Sequence, residues 1–243
     1  MKKLLSISLA VIIALSAVFL SGCEDKKKTE TKPQATKAQA NVQSYTSDDL
    51  KTYLNSFVTG NNPLYGTWKI KGINAVSYIF RNDGYGQMVM GSEADFAELN
   101  IDVDKNTLNV AFVLGINGTY NYKLSDDGKV LTLTSGDDTY TLLKQKAYNL
   151  VPKAPKNPKI DKNLLGWWQS EGNIIYFFAD DGLMYSNNIT METCYTYNAE
   201  KGKINAVYDY SGDVKINLSY SYKNDKLTID GNEYIRFTPD VLT

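Results

Sequence analysis

Three pairs of adjacent aspartates are the residues whose type and spacing best suit catalytic chemistry: Asp126–Asp127, Asp137–Asp138 and Asp180–Asp181. Two neighbouring carboxylates can serve as general acid and general base. Each pair, however, adjoins a glycine in a segment typical of a turn, where aspartate is favoured because it hydrogen-bonds the local backbone. We therefore interpret all three pairs as turn residues, and we predict that the protein is not an enzyme.

The remaining composition argues against other kinds of chemistry and partner. The chain has no histidine and two cysteines, which argues against Ser–His or Cys–His catalysis and the usual zinc sites. Residues 102–107 begin like a calcium loop, but they lack its sixth-position glycine, and Val113 stands where a glutamate is required. We predict no metal and no cofactor, and we expect Cys194 to be buried in a strand. From residue 47 onward, 19 Lys and Arg stand against 24 Asp and Glu, and this net charge of −5 is not typical of a nucleic-acid-binding protein.

The N-terminal segment has the pattern of a secretory signal, with a basic start, an apolar run from Leu4 to about Leu20, and small residues before Cys23. Its last four residues, LSGC, resemble the lipobox of bacterial lipoproteins. The resemblance implies a signal peptide at residues 1–22, cleavage before Cys23 and attachment of diacylglycerol to its sulfur, usually with a further acyl group such as palmitate. A protein with this modification is anchored to the cell membrane on its extracytoplasmic face.

A tether and one helix are predicted to follow the lipidated cysteine. Residues 23–46 are polar and poor in apolar side chains, which is typical of a disordered segment. Residues 47–60 predict an amphipathic helix that is capped by Thr46 or Ser47 and stopped by Gly60. Its apolar face carries Leu50, Tyr53, Leu54, Phe57 and Val58.

The rest of the chain consists of short β-prone runs separated by turn sequences, which is typical of an all-β sandwich or barrel. These runs repeat: LYGTWKIKGINAVSYIFRNDGYG at residues 64–86 parallels LLGWWQSEGNIIYFFADDGLM at residues 164–184. Two further pairs of similar segments follow in the same order. We therefore predict two tandem small antiparallel β-barrels or closed sandwiches, at residues 61–146 and 164–243.

The predicted linker, residues 147–163, has proline at every third position from Pro152 to Pro158 and lysine at every third position from Lys153 to Lys162. In a polyproline II helix, which has three residues per turn, these lysines would lie along one edge. Two interpretations stay open. The linker is either a stiff, solvated spacer or a basic ridge that meets an acidic partner such as a membrane or a wall polymer.

Residues 203–222 predict a hairpin that turns at residues 211–213. Even-numbered positions are apolar or aromatic and odd-numbered positions are mostly polar, so we expect the even set to face the barrel interior. This register places Tyr208 opposite Ile216. The inward face then includes four tyrosines, which either fill the barrel or line a ligand-binding cavity: Tyr208, Tyr210, Tyr220 and Tyr222.

Each repeat has the motif Gly-x-Trp on its predicted first strand, ending at Trp68 and at Trp168. This motif, followed by consecutive antiparallel strands, resembles the lipocalin-like domains of secreted bacterial lipoproteins. The resemblance implies that both tryptophans are core residues, and that an arginine near the end of the last strand lies across the ring. Arg236 fits this role in the second repeat, whereas Leu142 takes the equivalent place in the first.

Trp167 precedes Trp168, and neighbouring residues of a strand face opposite ways, so its side chain should point out of the barrel. We expect it to pack against the other repeat or the linker; the alternative is an external binding surface. The resemblance to lipocalin-like domains implies non-catalytic binding of a small amphipathic or apolar ligand. The alternative function is a cell-envelope interaction or structural module with filled barrels and no small-molecule ligand.

Overall fold

The structure, a computed structural model, describes residues 44–112, 115–146, 150–188, 190–209 and 212–243. The predicted signal peptide, Cys23 and most of the predicted tether lie outside these residues. The described fold is all-β, with an α-helix, α1 (Ser47–Ser56), and a short 3-10 helix at Asp240–Leu242. Within the described ranges, no helix is long and apolar enough to cross a membrane.

Helix α1 begins with a capping box. Thr46 is the N-cap, and its backbone N–H donates to the carboxylate of Asp49 over 2.7 Å. The helix ends at Ser56, earlier than the predicted residue 60, because a side chain from a neighbouring turn caps its last carbonyls, as described below. Its buried face carries Leu50, Tyr53 and Leu54.

Residues 61–146, called here the first half, hold eight antiparallel strands. Each strand pairs with its neighbours along the chain, and the last also pairs with the first. The strands are β1 (Gly66–Ile70), β2 (Ser77–Phe80), β3 (Tyr85–Met90), β4 (Glu93–Asp102), β5 (Thr107–Ala111), β6 (Asn117–Leu124), β7 (Val130–Ser135) and β8 (Asp138–Lys144).

Residues 164–243, the second half, pair in the same order and close an eight-stranded antiparallel β-barrel through β16 and β9. The strands are β9 (Gly166–Gln169), β10 (Ile175–Phe178), β11 (Leu183–Asn187), β12 (Met191–Glu200), β13 (Lys203–Asp209), β14 (Asp213–Lys223), β15 (Lys226–Ile229) and β16 (Asn232–Arg236).

The two halves are joined by a further ladder between β4 and β12, in which Ala94 lies opposite Glu192. All sixteen strands therefore belong to one hydrogen-bonded sheet, whereas the sequence predicted two separate small barrels or closed sandwiches. Ala94 pairs with Val89 on the preceding strand, and Glu192 pairs in the same way with Asn187. The joint thus brings equivalent positions of the two repeats together, as in an isologous interface.

The predicted hairpin at residues 203–222 forms with a register that differs by two residues. Tyr208 lies opposite Val214, and Ala206 lies opposite Ile216. Side chains alternate between faces with period two, so a two-residue shift leaves every side chain on its predicted face. The even-numbered residues of β14 are accordingly more buried than the odd-numbered ones.

Three hydrophobic clusters hold these elements together. The inward faces of the first half pack around Trp68, and those of the second half pack around Trp168. Both rings are fully buried, and each indole N–H donates to a backbone carbonyl, of Leu64 over 2.7 Å and of Leu164 over 2.6 Å. The third cluster lies between the halves and α1, and its members include Leu50, Leu54, Ile79, Val89, Ala94, Trp167, Phe177 and Tyr185.

Candidate functional site

A cation lies across the core tryptophan in both halves. The guanidinium of Arg236 lies 4.2 Å from the ring centroid of Trp168. In the first half, the Nζ atom of Lys144 lies 5.2 Å from the ring of Trp68. The prediction that Leu142 takes the place of Arg236 is wrong. Lys144 pairs with Trp68 as Arg236 pairs with Trp168, and Leu142 is a buried residue two positions earlier on the same face.

Three of the four tyrosines predicted to fill the barrel or line a cavity hydrogen-bond to nearby carboxylates. The Tyr220 hydroxyl donates to Asp161 over 2.6 Å, and burial together with this bond raises its pKa to about 12. The Tyr222 hydroxyl donates to Asp225 over 2.7 Å. Tyr208 packs edge-on against another tyrosine and hydrogen-bonds Glu93. Tyr210 lies outside the described residues.

The buried side chains of the second half pack together in one cluster. Such packing is typical of small barrels, whose own residues occupy the axis. The cluster has aromatic and aliphatic members in close contact: Leu164, Trp168, Phe178, Met184, Tyr195, Tyr197, Ala199, Ile204, Ala206, Leu227, Ile229 and Tyr234. A comparable cluster occupies the first half.

Trp167 points away from this interior and packs in the cluster between the halves. Its ring centroid lies 4.3 Å from that of Phe177 and 4.7 Å from that of Tyr53 in α1. Only 2% of the residue is exposed. The alternative of an exposed binding surface at Trp167 is therefore wrong, because α1 covers the ring.

A buried ion pair lies beside this cluster, and sequence reasoning missed it. Arg81 follows β2 and is 4% exposed, and its Nη1 donates to Glu192 of β12 over 2.9 Å. The Tyr185 hydroxyl donates to the same carboxylate oxygen over 3.0 Å. Phe57 covers one face of the guanidinium at 3.8 Å. We call Arg81, Glu192 and Tyr185 the junction cluster, since it connects the first half, the second half and the end of α1.

The junction cluster is suited to cohesion rather than to catalysis. Glu192 is fully buried, so a substrate in solvent does not reach its carboxylate. Cys194 is also fully buried, and desolvation raises the pKa of its thiol well above the ordinary value, which keeps it protonated and unreactive. Among the described residues, no group of three or more His, Cys, Asp or Glu side chains could hold a metal ion.

The aspartate pairs considered for catalysis lie at turns between consecutive strands. Asp127 accepts a hydrogen bond from Ser125 over 2.7 Å in the turn before β7. Asp102, at the start of the calcium-like segment, accepts from the backbone N–H of Lys105 over 3.0 Å. These are local bonds of the kind that favour aspartate in turns. Asp181 has an additional contact with α1, and Asp180 accepts from the Ser44 hydroxyl over 2.7 Å just before the helix.

Helix α1 is held at both ends by equivalent turns of the two repeats. At its N-terminus, the Asp181 carboxylate accepts from the backbone N–H of Ser47 over 3.3 Å. At its C-terminus, the Asn82 side chain donates to the carbonyls of Ser56 and Thr59 over 2.8 and 2.9 Å. The positive end of the helix thus meets carboxylates and the negative end meets an amide donor. Asn82 occupies the position that Asp180 has in the second repeat.

Replacing Asn82 with aspartate, the residue of the second repeat, is expected to lower the free energy of unfolding by about 1–2 kcal/mol. The change removes two hydrogen bonds and places a negative charge beside the last carbonyls of α1. The mirror variant Asp180→Asn should cost less than about 1 kcal/mol. Urea unfolding of both variants measures the difference, and equal costs would contradict the polarity argument.

Buried tyrosines predict a loss of stability in alkaline solution. Burial and the nearby Glu192 charge raise the pKa of Tyr53 to about 12, and burial also raises the pKa of Tyr197. An unfolded tyrosine ionises near pH 10. Stability should therefore be intact below about pH 10 and fall as the pH rises towards 12, since the unfolded state loses protons first. Denaturant unfolding across this range, with Tyr53→Phe expected to show a shallower fall, checks the prediction.

The segment between the halves is packed against the second half, so it is not a free spacer. A Cβ atom at Gly182 would lie 2.7 Å from Pro155 and 2.6 Å from Pro158, which shows how closely the prolines pack on this turn. Asn157 has a φ of 52°, in the left-handed region. The predicted continuous polyproline II helix is therefore wrong, because its φ is near −75° throughout.

The lysines of this segment are nevertheless all exposed. Lys153, Lys156 and Lys162 are exposed, whereas the prolines between them are half-buried. Lys159 is also exposed and forms an ion pair with Glu200 over 3.0 Å. The four lysines are thus exposed residues of a packed segment, and the break at Asn157 removes the helix that would have aligned them.

Comparison with known proteins assigns no family to the chain. No protein-family model matches it, and no curated protein matches it significantly. Its function is therefore inferred from the geometry of the described residues and from the N-terminal sequence.

Proposed function

We propose that this protein is a lipid-anchored lipoprotein on the extracytoplasmic face of the cell membrane, and that its halves are tandem lipocalin-like barrels acting as a non-catalytic interaction module of the cell envelope. The observation that carries the proposal is the filled interior of each half around Trp68 and Trp168. With the interior occupied, the outer surfaces remain for contact with a partner.

The N-terminal sequence supports membrane attachment. The apolar run ends in LSGC, and the only other cysteine of the chain, Cys194, is buried in β12. Two or more acyl chains at Cys23 would give stable anchoring, whereas a single chain gives marginal binding. The following polar residues would leave room between the membrane and the folded part.

The equivalent first strands support the lipocalin-like interpretation. In each half, a Gly-x-Trp strand places its tryptophan in the buried cluster, with a cation across the ring. The absence of histidine and the local bonding of the turn aspartates support a non-catalytic function. The outward lysines of residues 153–162 offer one surface on which an acidic envelope partner would fit.

A small amphipathic or apolar ligand within the second half is the competing candidate. The observation that favours it is β14, whose inward residues, Val214 to Tyr222, are only partly buried. A molecule that covered these side chains would gain hydrophobic contact there. The outer-surface proposal and this candidate differ in whether apolar molecules bind to the folded protein.

Membrane attachment is tested by replacing Cys23 with alanine in the full chain. The unaltered protein is expected to partition into the detergent phase and to incorporate a labelled fatty acid, and the Cys23→Ala variant is expected to lose both properties. Cys194→Ala is the matched control and should retain both. Retention of label by the Cys23→Ala variant would contradict the proposed anchor.

Occupancy of the interior is tested by native mass spectrometry of the full lipoprotein. The proposal expects the mass of the lipidated chain with no stoichiometric non-covalent apolar adduct. Such an adduct, released by organic extraction, would favour the competing ligand-binding function. Turnover of any substrate in an activity screen would overturn the non-catalytic proposal.

A further inference from the structure

The outer face of the first half has a cleft of about 450 Å³. It lies beside β1 and β2, next to the start of the segment that connects the halves. Its volume is within the range of small-molecule sites in proteins. The lining is Thr67, Lys69, Asn74, Ala75, Ser77, Ile79, Val89, Gly91, Gln145 and Lys146.

Comparison of the two repeats explains why this cleft is open. Thr67 lies opposite Ile79 in the β1–β2 ladder, and the equivalent pair in the second half is Trp167 opposite Phe177. In the second half, these two aromatic rings and α1 fill the outward face. In the first half, the smaller threonine leaves the equivalent space empty.

The chemistry of the lining selects a particular class of ligand. Lys69 and Lys146 supply two positive charges, and the described residues that line the cleft include no carboxylate, although the folded part of the chain has an excess of acidic residues. Asn74, Ser77 and Gln145 add amide and hydroxyl groups. Thr67, a residue that is 6% exposed, adds a further hydroxyl group.

We propose that this cleft binds a small polar molecule carrying an oxyanion, such as a phosphorylated or carboxylated compound. The lysines supply charge-assisted hydrogen bonds to the oxyanion. The amide and hydroxyl groups bond to the remaining polar atoms. The site goes beyond the proposed envelope function, and it does not depend on membrane attachment.

The test is isothermal titration of the full protein in detergent with inorganic phosphate and with citrate. We expect saturable binding of at least one of them that weakens as salt is raised, since exposed lysines are screened. Lys69→Gln combined with Lys146→Gln is expected to weaken binding by about 100-fold, or about tenfold for each lost charge. Lys215→Gln, an exposed lysine of the second half, is the matched control and should bind as the unaltered protein does.

A second variant tests the space itself. Thr67→Trp copies the residue of the second half into the cleft and is expected to abolish binding while thermal unfolding stays cooperative. If this variant fails to fold, the loss of binding in the double lysine variant still tests the proposal. The proposal is overturned if neither oxyanion binds at millimolar concentration, if binding survives loss of both lysines, or if a neutral polyol binds equally well.

Discussion

Replacing Glu192 with alanine is expected to lower the free energy of unfolding by about 2–3 kcal/mol, because it removes the buried one of the two carboxylates that hold the guanidinium of Arg81. The other carboxylate, of Asp83, is partly exposed and stays in place. The Tyr185 hydroxyl loses its acceptor in the same variant. Since the pair connects the two halves, the loss should also reduce the cooperativity of unfolding. Urea denaturation followed by tryptophan fluorescence measures both quantities.

Two further variants make this result specific to the buried pair. The double variant Arg81→Met with Glu192→Leu removes both charges and should recover a large part of the lost stability, because no unpaired charge stays buried. Glu233→Ala breaks an ion pair with Lys226 whose side chains are about half exposed, and should cost at most about 1 kcal/mol. Equal costs for Glu192→Ala and Glu233→Ala would show that the junction pair contributes no more than a surface pair.

Replacing Trp167 with threonine, the residue of the first repeat, is expected to cost about 3–5 kcal/mol. The ring packs between Phe177 of β10 and Tyr53 of α1, and its indole nitrogen has no hydrogen-bond partner among the described residues. The loss is therefore one of packing. Helix α1 should also become more accessible to proteases, because the ring is a main contact of its buried face.

A matched substitution on the surface controls for the change of residue type. Tyr85→Thr replaces an aromatic side chain that is 46% exposed, and should change stability by no more than about 0.5 kcal/mol. If Trp167→Thr costs as little as this control and protease resistance is unchanged, then packing of Trp167 does not hold α1 against the barrel.

Local patterns in the sequence account for much of the fold. Alternation of residue type predicts the inward face of residues 203–222, and the two-residue shift of register preserves that face. A two-residue error of register also explains the wrong prediction for Leu142. Lys144, two positions later on the same face of β8, is the residue that lies opposite Trp68. The alternation of residue types predicts which face of a strand is buried. Which residues lie opposite one another depends on the register, which the geometry of the turn sets.

The junction could not be predicted because its partners are far apart in the chain. Arg81 and Glu192 are separated by 111 positions, and no periodic pattern relates them. One signal was present: the chain has only two arginines among many lysines, and both hold buried or stacked positions. The pairing of β4 with β12 left no such signal, since both strands also pair with their chain neighbours.

The structure explains one difference between the two repeats, which lies in the turns that contact the two ends of α1. Asn82 and Asp180 occupy equivalent turns, and the sequence offers no reason for one amide and one carboxylate. In the structure, the Asp180 carboxylate accepts from the Ser44 hydroxyl just before the positive end of α1, and the Asn82 amide donates to the Ser56 carbonyl at the negative end. Each side chain therefore suits the partial charge of the helix end that it adjoins. The repeats therefore differ where one helix must contact both.

The most direct test of the filled interior is energy transfer from tryptophan to a fluorescent fatty acid titrated into the full protein. Trp68 and Trp168 belong to the buried clusters of the two halves, and Trp167 is the only other tryptophan, so an apolar probe bound inside would quench the emission. We predict no saturable energy transfer. Saturable quenching with one or two probe molecules per chain, weakened by Tyr220→Ala, would contradict the filled interior and favour a ligand-binding barrel.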